Sequence, residues 1–341
     1  MSPPPTHPLA PLGWDTRVAE AVEGFAEPGR VVRVEYGAVV VGTSAREVVA
    51  DWTAKAARAA GIDASPVVGD WVDIAETADE GVVVVARAER WSSLVRHDPA
   101  DDHAEQVLAA NVDVIFVVSA ADRPLNVRRL DRMLALAWGS GAQPVLVLTK
   151  VDLADEVERD LAAEVAGRAR VVEANGVTGE GMASLRSALG SGTAVFLGPS
   201  GVGKSTLVNA LCATEVMATA DVRDRDGKGR HTTTTRELWP VPGGGVVIDT
   251  PGIRGVQLWD PESGVDAHFS DLAELAQQCR FRDCAHGGEP GCAVADAIAT
   301  GTLSRDRVGR WLELRVESDG WAERQVEHDR AQRRDGRPRR K

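Results

Sequence analysis

The alternation of hydrophobic and polar positions changes character twice along the chain. From Arg30 to about Arg96, short apolar runs such as RVVRVEYGAVVVG and SPVVGDWVDI are separated by Gly, Asp and Pro. This pattern predicts about five short strands, which suits a small barrel, either an OB-fold or an SH3-like barrel. We therefore expect a β-barrel over residues 30–97. The proline-rich leader, residues 1–29, is expected to be disordered.

The second pattern begins after Asp98. Val112–Ala120 is a continuous apolar run, which is typical of a strand buried on both faces of a parallel sheet. Further strands then alternate with segments of helical spacing, which predicts an α/β domain over residues 98–262. From residue 263 to 341 the chain reads as polar helices, and we expect a third, mostly helical domain there. Its basic end, Arg330–Lys341, suits either a solvated disordered tail or a contact with RNA phosphates.

A phosphate-binding motif lies in the middle of the predicted α/β domain. The stretch GPSGVGKST fits GxxxxGK[ST] and lies between an apolar strand and a helix, where backbone N–H groups and the helix N-terminus can hold phosphate oxygens. Lys204 is expected to reach the β and γ phosphates, and the Ser205 hydroxyl to bind Mg²⁺. The predicted phosphate-binding residues of this loop are Gly198, Ser200, Gly201, Val202, Gly203, Lys204, Ser205 and Thr206.

Two further motifs follow the phosphate loop. Asp249-Thr-Pro-Gly252 comes directly after the apolar run GVVID, and suits an aspartate that holds Mg²⁺ and a glycine that senses the γ-phosphate. Between them lies the threonine-rich loop GKGRHTTTTRE, residues 227–237, which is either a plain surface loop or a nucleotide-responsive loop that completes the Mg²⁺ shell.

A base-reading motif stands in an unusual place. LTKVDL ends a predicted strand well before the phosphate loop, and it resembles the NKxD loop that reads guanine in GTPases. Lys150 can cover the purine with its aliphatic stem. Asp152 can accept the two N–H donors that guanine has and adenine lacks, which selects GTP over ATP. Thr149 stands where asparagine is usual, and Ala174 in VVEANGVTGEG is the expected backbone donor to the guanine O6. The order of motifs indicates a circularly permuted GTPase domain.

Cysteine and histidine cluster in the C-terminal region. Three of the four cysteines lie within fourteen residues, in the arrangement Cys279-x4-Cys284-x-His286-x5-Cys292. Three thiolates and an imidazole suit tetrahedral Zn²⁺ with no open position, so we expect one structural zinc ion. Cys212 lies elsewhere, in the predicted helix after the phosphate loop, and is expected to be a small core residue.

Charge and hydropathy narrow the choice of partners and location. The formal net charge of −12 argues against non-specific coating of nucleic acid. No apolar run approaches the roughly 20 residues that a membrane helix requires, so we expect no membrane partner. The N-terminus lacks a secretory pattern, and by elimination the protein is expected in the cytoplasm. Nothing in the sequence indicates more than a monomer.

Taken together, these motifs resemble the RsgA (YjeQ) family of small-ribosomal-subunit maturation GTPases. The resemblance is carried by NVDVIFVVSA, LTKVDL, GPSGVGKSTLVNAL, GRHTTTT, DTPGIR and CRFRDCAHGGEPGCAV. It implies an OB-fold, a permuted GTPase and a zinc-binding helical domain. It also implies binding to the small (30S) ribosomal subunit with its 16S rRNA, which stimulates hydrolysis of GTP to GDP, and it suggests Thr233 as the switch threonine on Mg²⁺. Arg30, Arg33 and Tyr36 either frame a barrel strand or contact RNA.

The residue after DxxG is Ile253, which cannot orient an attacking water as glutamine does in many GTPases. His231 in the threonine loop is our candidate catalytic residue, the other interpretation being an ordinary loop histidine. Two alternatives to a ribosomal GTPase stay open. One is a GTP-dependent switch or zinc scaffold on another RNA or protein with negligible turnover. The other is an ATP-using P-loop enzyme, which conflicts with Asp152.

Overall fold

A computed structural model gives the fold of the chain. It describes residues 7–52, 65–78, 81–98, 101–153, 156–216, 236–249 and 261–335. Within these ranges an N-terminal barrel, an α/β layer and a C-terminal group of helices follow one another. This confirms the fold class predicted from the hydrophobic pattern.

The barrel is closed by five strands. They are β1 (Pro28–Glu35), β2 (Ala38–Gly42), β3 (Glu47–Asp51), β4 (Trp71–Thr77) and β5 (Gly81–Arg87). They are hydrogen-bonded in the order β1-β2-β3-β5-β4, and β4 pairs back to β1, which leaves no free edge. Valines alternate inward along these strands, and Val31, Val41 and Val72 are fully buried in the barrel core.

The N-terminal segment corrects the prediction of a disordered leader. Residues Ala10–Leu12 form a 3-10 turn, and helix α1 spans Thr16–Ala21, with the Asp15 carboxylate accepting the Val18 N–H at its start. The side chains of Leu9, Val18 and Val22 are buried against the barrel. The sequence-based prediction failed because these few apolar residues have nothing to pack on within the leader itself. Residues 1–6 lie outside the described ranges.

The α/β layer is built on parallel strands. They are β8 (Val114–Ala120), β9 (Gln143–Thr149), β10 (Arg170–Glu173), β11 (Thr193–Leu197) and β13 (Val246–Asp249), with β12 (Glu237–Pro240) antiparallel to β13. The strand order is β10-β9-β8-β11-β13-β12. The helices of this layer are α2 (Val127–Gly139), α3 (Glu156–Ala166), α4 (Met182–Leu189) and α5 (Lys204–Cys212). Cys212 is buried in the core as expected, and burial raises the pKa of its thiol to about 11.

A hairpin connects the barrel to the α/β layer and was not foreseen. It consists of β6 (Ser93–Asp98) and β7 (Asp101–Ala110), which pair antiparallel. The sequence of β7, DDHAEQVLAA, is polar over its first half and carries little strand signal. The hairpin is held to the α/β layer by Ser92, whose hydroxyl donates to the Val112 carbonyl at 2.6 Å.

The barrel and the α/β layer share one continuous sheet, because β1 pairs with β12 where Arg33 faces Glu237. Arg33 donates to the Glu237 carboxylate at 3.0 Å and to Glu35 at 3.2 Å. Tyr36, at the tip of the β1–β2 turn, is fully exposed. Of the barrel residues that we considered for RNA contact, Tyr36 is thus the most accessible.

Arg30 fastens this junction from inside, which excludes a role on an RNA-facing surface. Its guanidinium is buried and donates to the carbonyls of Leu12 (2.6 Å), Gly69 (3.3 Å) and Asn111 (3.3 Å), and to the Thr193 hydroxyl (2.8 Å). Burial lowers the pKa of Arg30 to about 10. One side chain therefore joins the leader, the barrel, the connection between β7 and β8, and the start of β11.

The C-terminal helices are α6 (Pro261–His268), α7 (Ser270–Ala276), α8 (Ala293–Ala299) and α9 (Arg305–Asp335). Helix α6 lies close on α2: a Cβ on Gly264 would stand 2.2 Å from the Ala135 carbonyl oxygen. Helix α9 continues to Asp335, so the backbone of the basic tail is helical over its first residues, and residues 336–341 lie outside the described ranges.

Ion pairs fix α9 on α2. The buried carboxylate of Asp131 accepts from His268 Nε2 at 2.9 Å and from Arg310 Nε at 2.9 Å. Two outer pairs run along the same helices, Arg128–Glu313 at 3.0 Å and Arg132–Glu317 at 2.7 Å. Among the described residues, no helix combines the length and hydropathy needed to cross a membrane.

We predict that Arg30→Met lowers the free energy of unfolding by about 3 kcal/mol, because several buried oxygens lose their donor together. A urea titration followed by tryptophan fluorescence measures this free energy of unfolding. Arg17 provides a matched control, since it forms an exposed ion pair with Asp113 at 3.1 Å and stacks on Trp91. Arg17→Met should change stability by about 1 kcal/mol or less. Equal effects of the two substitutions would contradict the assignment of Arg30 as the buried fastening.

Candidate nucleotide and metal sites

The predicted nucleotide-binding motifs meet at one edge of the α/β sheet. β8, β9, β11 and β13 are adjacent and parallel, and their carboxyl ends lie together. The phosphate loop follows β11, the TKVD loop follows β9, and Asp249 ends β13. Ligands of open α/β sheets bind at this edge. TKVD and the phosphate loop are thus neighbours in space although they come in permuted order along the chain.

The phosphate loop curls between β11 and α5 with three glycines at positive φ. Gly198 has φ +149°, and a Cβ there would stand 2.4 Å from the Val118 carbonyl oxygen. Gly201 and Gly203 have φ of 81° and 96°. These conformations explain why glycine occupies the two fixed positions of the motif, Gly198 and Gly203, since other residues would be strained or would clash. Ser200 is exposed, Val202 is buried, and Ser205 and Thr206 lie in the first turn of α5.

Lys204 turns back over the loop that precedes it. Its ammonium donates to the carbonyls of Gly198 at 2.8 Å and Pro199 at 2.7 Å. The positive charge of the side chain and the N-terminus of α5 therefore converge on the concavity of the loop. This is the arrangement that favours an anion with several oxygens, such as a phosphate group.

Thr149 ties the TKVD loop to the phosphate loop. Its buried hydroxyl lies 2.6 Å from the Val202 carbonyl oxygen, to which it donates. The same side chain lies against Gly203, where a Cβ would approach Thr149 Cγ2 at 3.6 Å. The position that holds asparagine in the usual motif thus acts here on the protein backbone. The threonine side chain is long enough for its hydroxyl to reach the Val202 carbonyl oxygen.

Lys150 and Asp152 complete this loop. Lys150 has φ 56°, and its ammonium pairs with Asp122 at 2.6 Å. Asp152 is exposed, in the 3-10 turn Val151–Leu153, whose Val151 carbonyl accepts a hydrogen bond from Arg159 at 2.9 Å. The Asp152 carboxylate is thus accessible to a base.

The prediction for Ala174 is wrong. Ala174 is buried, and its N–H donates to the Leu148 carbonyl at 2.9 Å, so that N–H is already engaged by a strand neighbour. The loop that faces α5 begins two residues later. A Cβ on Gly176 would stand 2.8 Å from the Thr206 carbonyl oxygen, which places Gly176 beside the phosphate loop's helix. The Asn-Gly dipeptide, a turn signal, was the clue that sequence reasoning passed over.

Asp249 lies at the end of β13 and is half-buried. Burial raises the pKa of its carboxyl to about 6, while the nearby Lys204 charge lowers it and Glu237 raises it further. A divalent cation at this carboxylate would offset the cost of burying its charge. Ser205 and Asp249 are therefore the described candidates for holding Mg²⁺. His231, Thr233 and Gly252 lie outside the described residues.

The four predicted metal ligands converge. The ligand atoms of Cys279, Cys284, His286 and Cys292 all lie within 4.8 Å of one another. Cys279 Sγ is 3.5 Å from His286 Nδ1 and 4.0 Å from Cys292 Sγ. Burial, with the Arg315 charge, lowers the pKa of His286, which keeps the imidazole in the neutral form that binds metals. The donor set fits a tetrahedral metal ion.

Glu289 supports this cluster and was not singled out from the sequence. Its carboxylate accepts the Ala285 N–H at 2.9 Å and lies 3.7 Å from Cys284 Sγ. The hydrogen bond from the Ala285 N–H fixes the backbone between the two ligands Cys284 and His286. A glutamate between two ligands, in HGGEPGC, was the only available sign.

This chain is similar in sequence to known proteins. A family model described as RsgA GTPase matches residues 87–259. A protein of Streptomyces avermitilis named small ribosomal subunit biogenesis GTPase RsgA is 45% identical over 321 residues, covering 91% of this chain and 85% of that protein. A protein of the same name from Methanosarcina acetivorans is 42% identical over 257 residues, covering 74% of this chain and 70% of that protein.

Two solved structures share the fold. The crystal structure of YjeQ from Thermotoga maritima aligns with a TM-score of 0.65 at 26% identity, covering 86% of this chain and 99% of that one. That of YloQ, described as a circularly permuted GTPase, aligns with a TM-score of 0.61 at 25% identity, covering 86% of this chain and 95% of that one.

We predict that Thr149→Val weakens binding of a fluorescent GDP analogue about five- to tenfold, because the buried Val202 carbonyl loses its donor while side-chain volume is kept. Thr149→Ser retains the hydroxyl and should bind within about twofold of the unaltered protein. Titration by fluorescence measures both. If the valine and serine variants bind equally well, the hydroxyl does not support the site.

Proposed function

This chain belongs to the RsgA GTPase family and is therefore a GTP-hydrolysing enzyme, and we propose that it acts in late maturation of the small ribosomal subunit. The observation that carries the proposal is the meeting of the phosphate loop and the TKVD loop at one sheet edge, fastened by the Thr149–Val202 hydrogen bond. Curated relatives with 40–45% identity carry the name of a small ribosomal subunit biogenesis GTPase.

The phosphate loop would hold the triphosphate. Backbone N–H groups of the loop and the N-terminus of α5 face its oxygens, and Lys204 leaves the loop carbonyls for the β and γ phosphates. The proposed contacts are the loop residues Gly198, Ser200, Gly201, Val202, Gly203, Lys204, Ser205 and Thr206, joined by Gly252. Mg²⁺, held by Ser205, Thr233 and Asp249, would supply neutralisation of the charge that develops on the phosphates.

The guanine base would lie between the TKVD loop and the loop after β10. The stem of Lys150 would cover the ring, and the Asp152 carboxylate would accept N1–H and the exocyclic amine. We assign the O6 contact to the backbone N–H of Gly176, because that of Ala174 is engaged with Leu148. Gly176 lies against Thr206 of α5, so the segment that contacts the base and the segment that contacts the phosphates are neighbours.

Hydrolysis requires a group that orients water, and Ile253 after DxxG offers none. We propose His231 for this role, acting at the γ-phosphate from the threonine-rich loop. A partner that brings His231 to the γ-phosphate would raise the rate of hydrolysis, which fits an enzyme whose turnover is stimulated by its substrate particle.

The metal cluster is proposed to hold one structural Zn²⁺. Its three sulfurs and one imidazole leave no open coordination position, so the ion would stabilise the loops around α8 without taking part in hydrolysis. We retain the domain division into a barrel (30–97), a nucleotide domain (98–262) and a metal domain (263–341), with residues 7–29 of the leader now included in the packed structure.

The proposed partner is the 30S subunit with its 16S rRNA, bound by a monomer in the cytoplasm. Tyr36 is the barrel residue that remains available for stacking on an RNA base, since Arg30 is buried and Arg33 is paired with two glutamates. A GTP-dependent switch on another RNA or protein, with negligible turnover, is the second candidate.

We predict that purified 30S subunits raise the GTP turnover of this protein by at least about tenfold, and that His231→Ala removes about a hundredfold of the stimulated rate. Release of phosphate measures both. The His231→Ala variant should bind GDP like the unaltered protein, which separates catalysis from affinity. Absence of stimulation by 30S particles would favour the second candidate, and full stimulated turnover in His231→Ala would exclude the role of His231.

A further inference from the structure

Lys150 is held in an uncommon backbone conformation. Its φ of 56° lies in the left-handed region, which residues other than Gly and Asn rarely adopt. The turn is fixed on both sides, by the buried Thr149 before it and by the Leu153 N–H, which donates to the Lys150 carbonyl at 3.1 Å. Such conformations persist where the surroundings determine them, and they are frequent in ligand sites.

Asp122 lies where it can receive the Lys150 side chain. β8 and β9 pair in parallel with Ala120 opposite Thr149, and the Ala121 N–H donates to the Thr149 carbonyl at 2.9 Å. This ladder places Asp122 beside the TKVD loop. Its carboxylate accepts from Lys150 Nζ at 2.6 Å and from Arg123 Nε at 3.0 Å. The hydrogen bonds from Arg123 and Lys150 lower the pKa of Asp122 to about 2, so the carboxylate is ionised at neutral pH.

We propose that Asp122 is a positioning residue for guanine nucleotide binding, which orients the Lys150 side chain across the base site before the nucleotide arrives. The inference rests on the proposed GTP site and adds a residue that lies outside the TKVD and phosphate-loop motifs. Asp122 acts through Lys150 and does not touch the nucleotide.

The ion pair need not break when the base binds. A lysine ammonium has three protons, and Asp122 uses one of them, which leaves two for the nucleotide or the loop carbonyls. The part of Lys150 that would cover the purine is its aliphatic stem. A free lysine must lose side-chain freedom on binding, and a stem already anchored at its end loses less. Asp122 therefore favours binding by ordering Lys150 in advance.

A double-mutant cycle tests the inference, with a fluorescent GDP analogue as the probe. We expect Asp122→Asn to weaken binding about three- to tenfold in the unaltered background. In a Lys150→Met background the same substitution should change affinity by less than about twofold, because the group that Asp122 orients is gone. Asp122→Glu, which keeps the charge, should recover part of the affinity.

Arg123→Ala is the matched control, since Arg123 is the other partner of Asp122 and is largely exposed. It should bind the probe within about twofold of the unaltered protein. Thermal unfolding of each variant shows whether the fold is kept.

Three outcomes would overturn the inference. Unchanged or tighter binding by Asp122→Asn would mean that the ion pair is irrelevant or competes with the base. An equal loss in both backgrounds would mean that Asp122 supports the loop structure and does not act through Lys150. If Arg123→Ala weakens binding as much as Asp122→Asn does, the ion pair between Arg123 and Asp122 would carry the effect, and not the pair with Lys150. Failure of the unaltered protein to bind the GDP analogue would instead contradict the proposed function itself.

Discussion

The buried guanidinium of Arg30 is the contact on which the arrangement of domains depends. An arginine buried away from water needs hydrogen-bond acceptors for its guanidinium. Here those partners come from the leader, from the barrel, from the connection between β7 and β8, and from the start of β11. The barrel is thereby set against the strands that carry the nucleotide motifs. Through β1 and β12 it also shares a sheet with the strand that leads out of the threonine loop.

This junction gives the permuted order of the chain a physical meaning. The TKVD strand β9 comes before the phosphate-loop strand β11 along the chain, yet in the sheet both strands lie beside β8 and their loops meet at one edge. Among the described residues, no strand of the nucleotide layer follows Asp249, and the next described element, α6, belongs to the C-terminal helices. Two contacts then place the C-terminal helices against the GTPase layer. They are the close approach of Gly264 to α2 and the cluster of Asp131, His268 and Arg310.

Sequence reasoning succeeded where a motif is determined by local geometry. Three such features are the glycines of the phosphate loop, the apolar run of β8 and the spacing of the cysteines. Each of them is determined by the backbone or ligand geometry of its own segment. It failed where the determining partner is distant. Leu9 and Val18 are buried only because the barrel lies beside them, and Arg30 is buried only because four separate segments meet there. Ala174 was misassigned because the end of β10 depends on its pairing with β9, which no local signal fixes.

The central claim is that the edge assembled from β8, β9, β11 and β13 reads guanine through Asp152. The most direct measurement compares affinities for GDP and xanthosine diphosphate in the unaltered protein and in Asp152→Asn. Xanthine carries an oxygen where guanine carries the exocyclic amine, so an asparagine amide can donate where aspartate could only accept. The account predicts that the variant loses affinity for GDP and gains affinity for xanthosine diphosphate. Retention of the original preference for GDP by Asp152→Asn would contradict it.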